Sequence, residues 1–388
     1  MADRLAARMR DIQPFHVMEL LARARALEAQ GRSIIHLEIG EPDFPTPQAV
    51  VAAASQALQA GQTQYTPALG LPALREAISA FYRQRHQVEV APERIIVTPG
   101  ASGALLLALG VLVDPGQEVL LADPGYPCNR NFVRFLEGAP LSVPVDAASN
   151  FQLSARHVEQ HWSARTKVAL VASPSNPTGT VVSTDELRAI HAAVAQRGGS
   201  LIVDEIYHGL IYGQQDETAL AISDQLFVIN SFSKYFCMTG WRLGWLVVPP
   251  AYVEAVDKLA QNLFLAASTV SQYAALAAFL PETIVELERR RAEYQRRRDF
   301  LLPALRKLGF GVPCEPQGAF YIYADCSRLV GDSYPFVIDL LEKAGVAVTP
   351  GLDFGSNDAR RYVRFSYANS LENLVEAVSR IGHYLKSK

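Results

Sequence analysis

The sequence has few cysteines and no apolar run long enough to cross a membrane. Its four cysteines (Cys128, Cys237, Cys314 and Cys326) lie far apart and include no CxxC pair, which argues against a disulfide framework and favours a reducing compartment. The most apolar stretch, residues 105–113, is about half a membrane span. The opening MADRLAARMRDI lacks the apolar segment of a secretory leader. We therefore expect a cytoplasmic protein with no membrane partner.

An excess of positive charge is also missing. The chain of 388 residues has 36 basic and 39 acidic side chains, for a formal charge of -3. Non-specific nucleic-acid binding depends on a broad basic surface, so we predict no nucleic-acid partner. The 23 prolines and 25 glycines are scattered, which excludes collagen-like and low-complexity chains. The length suits one large or two medium domains.

Six short apolar runs predict the strands of an α/β sheet. Each is apolar without alternation, as in strands that helices cover on both faces. A helical segment, STDELRAIHAAVAQRGG, lies between two of them, with a capping box of Ser183 and Glu186 and an end at Gly198. We predict a doubly wound, mostly parallel sheet, whose ligands gather at the carboxyl ends of the strands. The runs are RIIV (94–97), EVLLA (118–122), KVALVA (167–172), LIVDE (201–205), LFVIN (226–230) and WLVV (245–248).

The segments around this sheet predict a second, smaller α+β unit. Helical patterning dominates residues 251–308, and strands and helices then alternate to the end of the chain. An N-terminal helix ending near Gln30 is expected to join them. We divide the chain into a large domain, residues 46–285, and a small domain of residues 1–45 together with 286–388.

The loop after the run LFVIN collects a nucleophile and groups that bind phosphate. Its sequence, SFSKYFCMTGWRLG, contains Ser231, Ser233, Lys234 and Arg242. Two hydroxyls and an arginine suit a phosphate, because a guanidinium can bind two oxygens at once. The lysine would place a nucleophilic amine beside that phosphate.

As a whole this loop resembles the lysine loop of class I and II aminotransferases, which are pyridoxal-phosphate enzymes of fold type I. SPSNPTG (173–179) and LIVDEIYHGLIY (201–212) carry the same resemblance after two successive strands. It extends over residues 30–385. The resemblance implies a fold type I pyridoxal-phosphate transferase, with a mostly parallel central sheet, helices on both faces and a smaller α+β domain.

The resemblance implies that Lys234 carries pyridoxal 5'-phosphate and that Asn176, Asp204 and Tyr207 hold its ring. A carboxylate at Asp204 would keep the pyridine nitrogen protonated, which makes the ring a better electron acceptor. Tyr207 and Asn176 would donate hydrogen bonds to the phenolic oxygen. Lys234, Asp204 and Tyr207 are the predicted catalytic residues. We expect Arg242 and limited hydration to lower the pKa of Lys234.

Further cofactor contacts are implied in three other segments. In TPGASGALLLAL, the backbone N–H groups of Ala101, Ser102 and Gly103 would bind phosphate at the start of a helix. Tyr126 in DPGYP would stack on the ring. Tyr65 in QYTPALGLPALREAI would reach the phosphate of a neighbouring subunit, so the resemblance predicts a homodimer with composite sites.

The resemblance also implies the substrate contacts. Arg364 in RYVRFSYA would bind the α-carboxylate, with help from Asn176 and from the backbone of Gly40 in GEPDFPTP. No arginine stands in a motif position for a distal carboxylate, and Tyr126 stands where aspartate-specific relatives carry tryptophan. We therefore predict ping-pong transfer of an amino group from a neutral L-amino acid to a 2-oxo acid, with 2-oxoglutarate as the acceptor by family habit.

Two other functions share part of this pattern. A C–S β-lyase or another pyridoxal-phosphate eliminase uses the same framework, but releases ammonia and pyruvate without an acceptor. A non-catalytic effector-binding module, as in some transcription regulators, would carry an additional N-terminal DNA-binding domain. We predict no metal site, because His157 and His161 in HVEQH lack the metalloprotease glutamate and a third ligand.

Overall fold

A computed structural model describes residues 5–387, and a seven-stranded sheet forms its centre. The sheet has the order β2-β8-β7-β6-β5-β3-β4, and β8 alone runs antiparallel to its neighbours. The mostly parallel α/β sheet expected from the sequence is therefore confirmed. The strands are β1 (Ile35–His36), β2 (Ile95–Thr98), β3 (Glu118–Asp123), β4 (Ala139–Pro144), β5 (Thr166–Ala172), β6 (Ser200–Asp204), β7 (Phe227–Ser231), β8 (Gly244–Val247), β9 (Tyr321–Asp325), β10 (Val346–Ala347), β11 (Thr349–Pro350) and β12 (Tyr362–Ser366).

Each of the six predicted runs is a strand, with ends that differ by one residue at most. Strand β4 was not predicted. Pro140 and Pro144 interrupt its sequence, and it is mostly half-exposed. Proline is tolerated there because β4 lies at the edge of the sheet, where one row of backbone groups needs no partner strand.

Helices pack on both faces of the sheet and produce two separate hydrophobic cores. Adjacent residues of one strand enter different cores, as Ile202 and Val203 of β6 do. This explains why the runs are apolar at every position. The helices are α1 (His16–Glu28), α2 (Gln48–Gln59), α3 (Pro72–His86), α4 (Gly100–Leu112), α5 (Pro127–Phe135), α6 (Ala155–His161), α7 (Thr184–Ala195), α8 (Val253–Leu263), α9 (Thr269–Leu276), α10 (Pro281–Lys307), α11 (Ser333–Asp339) and α12 (Leu371–Lys386).

The start of α7 corrects one detail of the sequence interpretation. Ser183 caps the helix by accepting a hydrogen bond from the Glu186 N–H, but the reciprocal half of the predicted capping box is missing. The Glu186 carboxylate instead accepts from the backbone N–H of Ala155, at the start of α6. The helix itself ends at Ala195, and the chain turns away at Gly198, where φ is +66°.

A smaller unit surrounds the second sheet, which has the order β11-β12-β9 and is antiparallel. Strand β1 pairs in parallel with β10 and so brings the N-terminal part of the chain to this unit. In β12, Arg364 lies opposite Thr349 of β11 and Tyr323 of β9. The division at residues 45 and 285 stays a prediction, and its residues 1–4 and 388 lie outside the described residues.

The helices give no sign of a membrane span. Across residues 5–387, none of them combines the length and the apolar composition that a bilayer crossing requires.

His36 connects the N-terminal helix to this smaller unit. Its Nδ1 lies 2.7 Å from Glu38 Oε1, and its Nε2 lies 3.1 Å from Oε1 of Glu28, the last residue of α1. The hydrogen bond to Glu38 is the main reason why the pKa of His36 rises to about 9. The neighbouring backbone carbonyl of Glu38 accepts hydrogen bonds from Thr349 and Arg364 at the cavity described below.

We predict that the contribution of His36 to stability depends on pH. Because its pKa is raised on folding from 6.5 to about 9, the stabilisation is complete below pH 6.5 and is lost as pH rises through 9. His36→Gln, which removes the charge, should cost about 2 kcal/mol at pH 6 and little at pH 10. Thermal midpoints of both proteins at the two pH values test this. An equal loss at both would contradict the assignment.

Candidate active site

A cavity of about 490 Å³ opens at the carboxyl ends of the central strands, between the sheet and the smaller unit. Eleven of the fourteen site residues predicted from the sequence line it, which fits the expectation for a parallel sheet. Ser231, Gly103 and Tyr65 are not part of its wall. The lining residues among the predicted set are Gly40, Ala101, Ser102, Tyr126, Asn176, Asp204, Tyr207, Ser233, Lys234, Arg242 and Arg364.

Lys234 projects into this cavity from the loop that follows β7. Its Nζ donates a hydrogen bond to the Gly40 carbonyl oxygen at 2.6 Å and lies 5.9 Å from the centre of the Tyr207 ring. Burial lowers the pKa of Lys234 to about 8. The negative charge of Glu41 opposes this change, and the positive charges of Arg364 and Arg242 add to it. The lowered pKa that the sequence predicted is thus confirmed, and a useful fraction of the amine is neutral near pH 7.

Asp204 ends β6 and is buried beneath the cavity. Its Oδ1 accepts a hydrogen bond from the Ile206 N–H at 3.0 Å. Burial raises the pKa of Asp204 to about 6, although this hydrogen bond and the charge of Lys234 oppose the change. A carboxylate in such surroundings binds a cationic N–H group strongly, because water does not compete for it.

One corner of the cavity gathers donors for an anion: Ser233 and Arg242 line it, and Ser231 lies next to Ser233 without reaching the wall. Ser231 Oγ lies 2.9 Å from Ser233 Oγ, and Arg242 donates to the Thr239 carbonyl oxygen at 2.9 Å. Gly100, with φ +69°, begins α4 directly beside Arg242, and a Cβ there would come within 2.7 Å of the Arg242 Nη2. This glycine therefore keeps the guanidinium close to the positive end of α4.

Arg364 reaches the cavity from β12 and is buried. Its Nη1 donates to Asn176 Oδ1 at 2.9 Å, and its Nη2 donates to the Glu38 carbonyl. The guanidinium carbon lies 4.3 Å from the centre of the Tyr321 ring. The Nε of Arg364 has no hydrogen-bond partner, which leaves a donor free beside the cavity.

Tyr321, at the start of β9, was missed by the sequence analysis. Its hydroxyl lies 2.9 Å from the Tyr207 hydroxyl, and a Cβ at Gly40 would come within 2.5 Å of it. Tyr321 thus explains why residue 40 is glycine and fixes the hydroxyl of Tyr207. The only sequence signal was the aromatic strand AFYIYA, which does not tell a wall residue from a core residue.

The first helix also contributes to the wall, which no motif indicated. Phe15, Val17 and Met18 form an apolar surface on this side of the cavity. The carboxylate of Asp353 accepts the backbone N–H groups of His16 and Val17 at 2.6 and 2.9 Å, and so caps α1 from another part of the chain.

Tyr126 and Tyr65 differ in their positions. Tyr126 precedes α5 and lines the cavity, as expected for a ring that stacks on a ligand. Tyr65 lies outside the cavity of its own chain and is 81% exposed. Gly103 packs against Pro99 in the first turn of α4, so its backbone faces the protein on that side.

These residues fit pyridoxal phosphate. The corner of hydroxyls, guanidinium and helix start matches the donors that a phosphate needs. Lys234 supplies a primary amine, Asp204 a buried acceptor for a ring N–H, and Tyr207 and Asn176 supply polar groups between them. The assignment of each residue to its contact stays a prediction.

Comparison with known proteins agrees with this geometry. The family described as Aminotransferase class I and II matches residues 32–381. Valine–pyruvate aminotransferase of Mycobacterium tuberculosis is 40% identical over 390 residues, covering 100% of both chains. The crystal structure of an aminotransferase from the same organism has a TM-score of 0.95 at 39% identity, covering 99% of this chain and 100% of the other. Aspartate aminotransferase of Thermus thermophilus with maleate has a TM-score of 0.92 at 35% identity, covering 98% and 99%.

The lowered pKa of Lys234 predicts how pyridoxal phosphate attaches to the cofactor-free protein. Only the neutral amine attacks an aldehyde, so the rate should rise with pH and level off above about 8. Borohydride trapping followed by peptide mass spectrometry, over pH 6 to 10, measures this rate and its site. Lys234→Arg, which cannot form the bond, is the control. A midpoint near 10.4, the value of free lysine, would show that the burial has no such effect.

Proposed function

The chain belongs to the class I and II aminotransferase family, and from that premise we propose that it accepts neutral L-amino acids as donors. It is a pyridoxal-phosphate-dependent aminotransferase, which exchanges an amino group between an amino acid and a 2-oxo acid. The relatives named above are aminotransferases, so neither the β-lyase nor the non-catalytic module gains support. We also propose a role for each site residue and a dimeric assembly.

The observation that carries the proposal is the set of cations around the cavity. Within the part of this chain that the structure describes, the cavity wall contains three: Lys234, Arg242 and Arg364. Lys234 is the amine that carries the cofactor, Arg242 is assigned to the phosphate and Arg364 to the α-carboxylate, so none of the three cations is left for another group. A distal carboxylate on the substrate would therefore need a cation that this wall does not offer.

The rest of the wall also disfavours a second negative charge. Phe15, Val17 and Met18 offer apolar contact. The carboxylate of Glu41 also lines the cavity and would repel a substrate anion. A neutral side chain would bring no charge out of water, and an apolar one would gain from burial.

The proposed roles follow from the positions of the groups. Bound pyridoxal phosphate supplies a ring that accepts the negative charge left when Cα loses its proton. Lys234 would move the Cα proton of the substrate, acting as base and then as acid. Asp204 would hold the ring nitrogen in its charged form, and Tyr207 would donate a hydrogen bond to the ring oxygen. Ser231, Ser233, Arg242 and the start of α4 would bind the phosphate.

We assign the α-carboxylate to Arg364. Its guanidinium is held from both sides by Asn176 and by the Glu38 carbonyl, so little rotational freedom is lost when a substrate binds. Every amino acid and every 2-oxo acid presents this carboxylate. Arg364 therefore orients both substrates and does not select among side chains. As the acceptor we propose 2-oxoglutarate, and pyruvate, which is named for the Mycobacterium tuberculosis relative, is the alternative to compare.

The donor proposal predicts a preference for uncharged side chains. We expect kcat/KM for the best of alanine, valine, methionine and phenylalanine to exceed that of aspartate at least tenfold, about 1.4 kcal/mol in transition-state free energy. Asparagine is the matched control, because it has the shape of aspartate without the charge. Initial rates with a common acceptor give these values. A tenfold preference for aspartate over all of them would overturn the proposal.

We further propose a homodimer in which Tyr65 completes the phosphate site of the other subunit. Tyr65 is 81% exposed and lies away from the cavity of its own chain. An exposed tyrosine can give a partner subunit a large apolar contact together with a hydroxyl that hydrogen-bonds. The preceding residue, Gln64, is fixed by a hydrogen bond from Thr269 Oγ1 to its carbonyl at 2.6 Å, so the loop has a defined position.

Complementation between two defective chains tests this arrangement. Tyr65→Ala keeps its lysine, and Lys234→Ala keeps its tyrosine, so a mixed dimer has one site with both groups. Refolding the two together should restore transaminase activity and tight cofactor binding that neither has alone. Tyr65→Phe is the control for loss of the hydroxyl only. Mixed dimers that form but show no recovery would rule out a shared site.

A further inference from the structure

A second cluster of titratable side chains is buried behind the strand end that carries Asp204. We call it the His208 cluster, and it consists of Glu205, His208, Asp216 and His86. Glu205 is 1% exposed and His208 is 7% exposed. Neither lines the cavity described above. Glu205 follows Asp204 and His208 follows Tyr207 in the chain, and their side chains point to the opposite side of the backbone.

Three electron-pair donors of this cluster face one another. His208 Nδ1 lies 3.2 Å from Asp216 Oδ1 and 3.4 Å from Glu205 Oε2. The ring of His208 hydrogen-bonds to the backbone of Ser173, which places the proton of the neutral ring on Nε2 and leaves a lone pair on Nδ1. Both His208 Nδ1 and Asp216 Oδ1 are buried without a hydrogen-bond partner. A lone pair that faces two carboxylate oxygens is unfavourable unless a proton or a metal ion lies among these atoms.

We propose that the His208 cluster binds a divalent cation of the zinc type. Donors about 2.0–2.2 Å from a zinc ion, at tetrahedral angles, lie about 3.3 Å apart. The separations of 3.2 and 3.4 Å match that value. His86 offers a further ligand, and the donor atoms of His86, His208 and Asp216 all lie within 4.8 Å of one another.

The surrounding groups favour such an ion. Two carboxylates, Glu205 and Asp216, would balance its charge. The nearby cation Arg85 binds the other oxygen of Asp216 at 3.0 Å, and its charge is matched by Glu288 at 2.9 Å. His86 Nδ1 lies 2.8 Å from the Asp216 carbonyl oxygen, so the neutral ring that donates this hydrogen bond carries its lone pair on Nε2.

An ion can reach the cluster from solvent. Glu205 and His208 line a second cavity of about 520 Å³, whose rim includes the exposed residues Gln214, Gln215 and Glu217. A bound ion would connect the last residue of α3 to the end of β6 and to this rim. The sequence analysis predicted no metal site. It considered only His157 and His161, and the residues proposed here are scattered over residues 86–216 without a spacing motif.

Zinc uptake by the cofactor-loaded enzyme tests the proposal. The protein is freed of metal with a chelator, dialysed against micromolar zinc and analysed by mass spectrometry of the metal. We expect about one zinc per chain with a Kd below about 1 μM. His208→Gln and Asp216→Asn should each weaken binding at least about 100-fold. His161→Gln, which removes an exposed histidine of α6, should leave it unchanged.

The possible outcomes distinguish a bound zinc ion from a proton in the cluster. Binding that is lost in both cluster variants but kept in His161→Gln supports the proposal. Wild-type protein that takes up less than about a tenth of an equivalent would show that a proton occupies the cluster, and the proposal would fail. Equal binding by wild type and folded variants would place the zinc elsewhere and overturn it. Circular dichroism and cofactor content show whether each variant is folded, and His86→Gln replaces any that is not.

Discussion

The buried guanidinium of Arg364 holds three parts of the chain together. It extends from β12 of the smaller unit, binds Asn176 after β5 and binds the backbone of Glu38 in the N-terminal segment. A buried charge without such partners would be too costly to keep in place. The cavity lies where these segments meet, and Arg364 and Asn176 both line it. The aromatic ring of Tyr321 beneath the guanidinium completes the support.

Burial from water also determines the chemistry of the cavity. Burial moves the pKa of Lys234 down to about 8 and that of Asp204 up to about 6, so the two groups approach the pH at which the enzyme would work. A base is most useful when its pKa is close to that pH. The fold thus prepares Lys234 as a base before any ligand binds, by surrounding it with protein.

Strand β6 supports two buried polar clusters because its end continues past the sheet into a tight turn. Asp204 and Tyr207 face the cavity, whereas Glu205 and His208 face the opposite side. On one side the charges are matched by Lys234 and its neighbours. On the other side Arg85 pairs with one oxygen of Asp216, and the proposed cation would join the remaining donors. The two clusters share a backbone, so anything that fixes one also limits movement of the other.

The sequence by itself determined the sheet and most of the candidate site. Continuous apolar runs specify strands buried on both faces. Lys234 and Asp204 lie at or just after the ends of such runs, in local segments that carry the resemblance to aminotransferases, so they were found without knowledge of distant contacts. Only the tertiary structure decided which distant groups share a wall. Tyr321 and the first helix reach the cavity through strand pairing and packing, and His208 meets Asp216 through a loop. Such contacts depend on three-dimensional distance, which residue spacing does not encode.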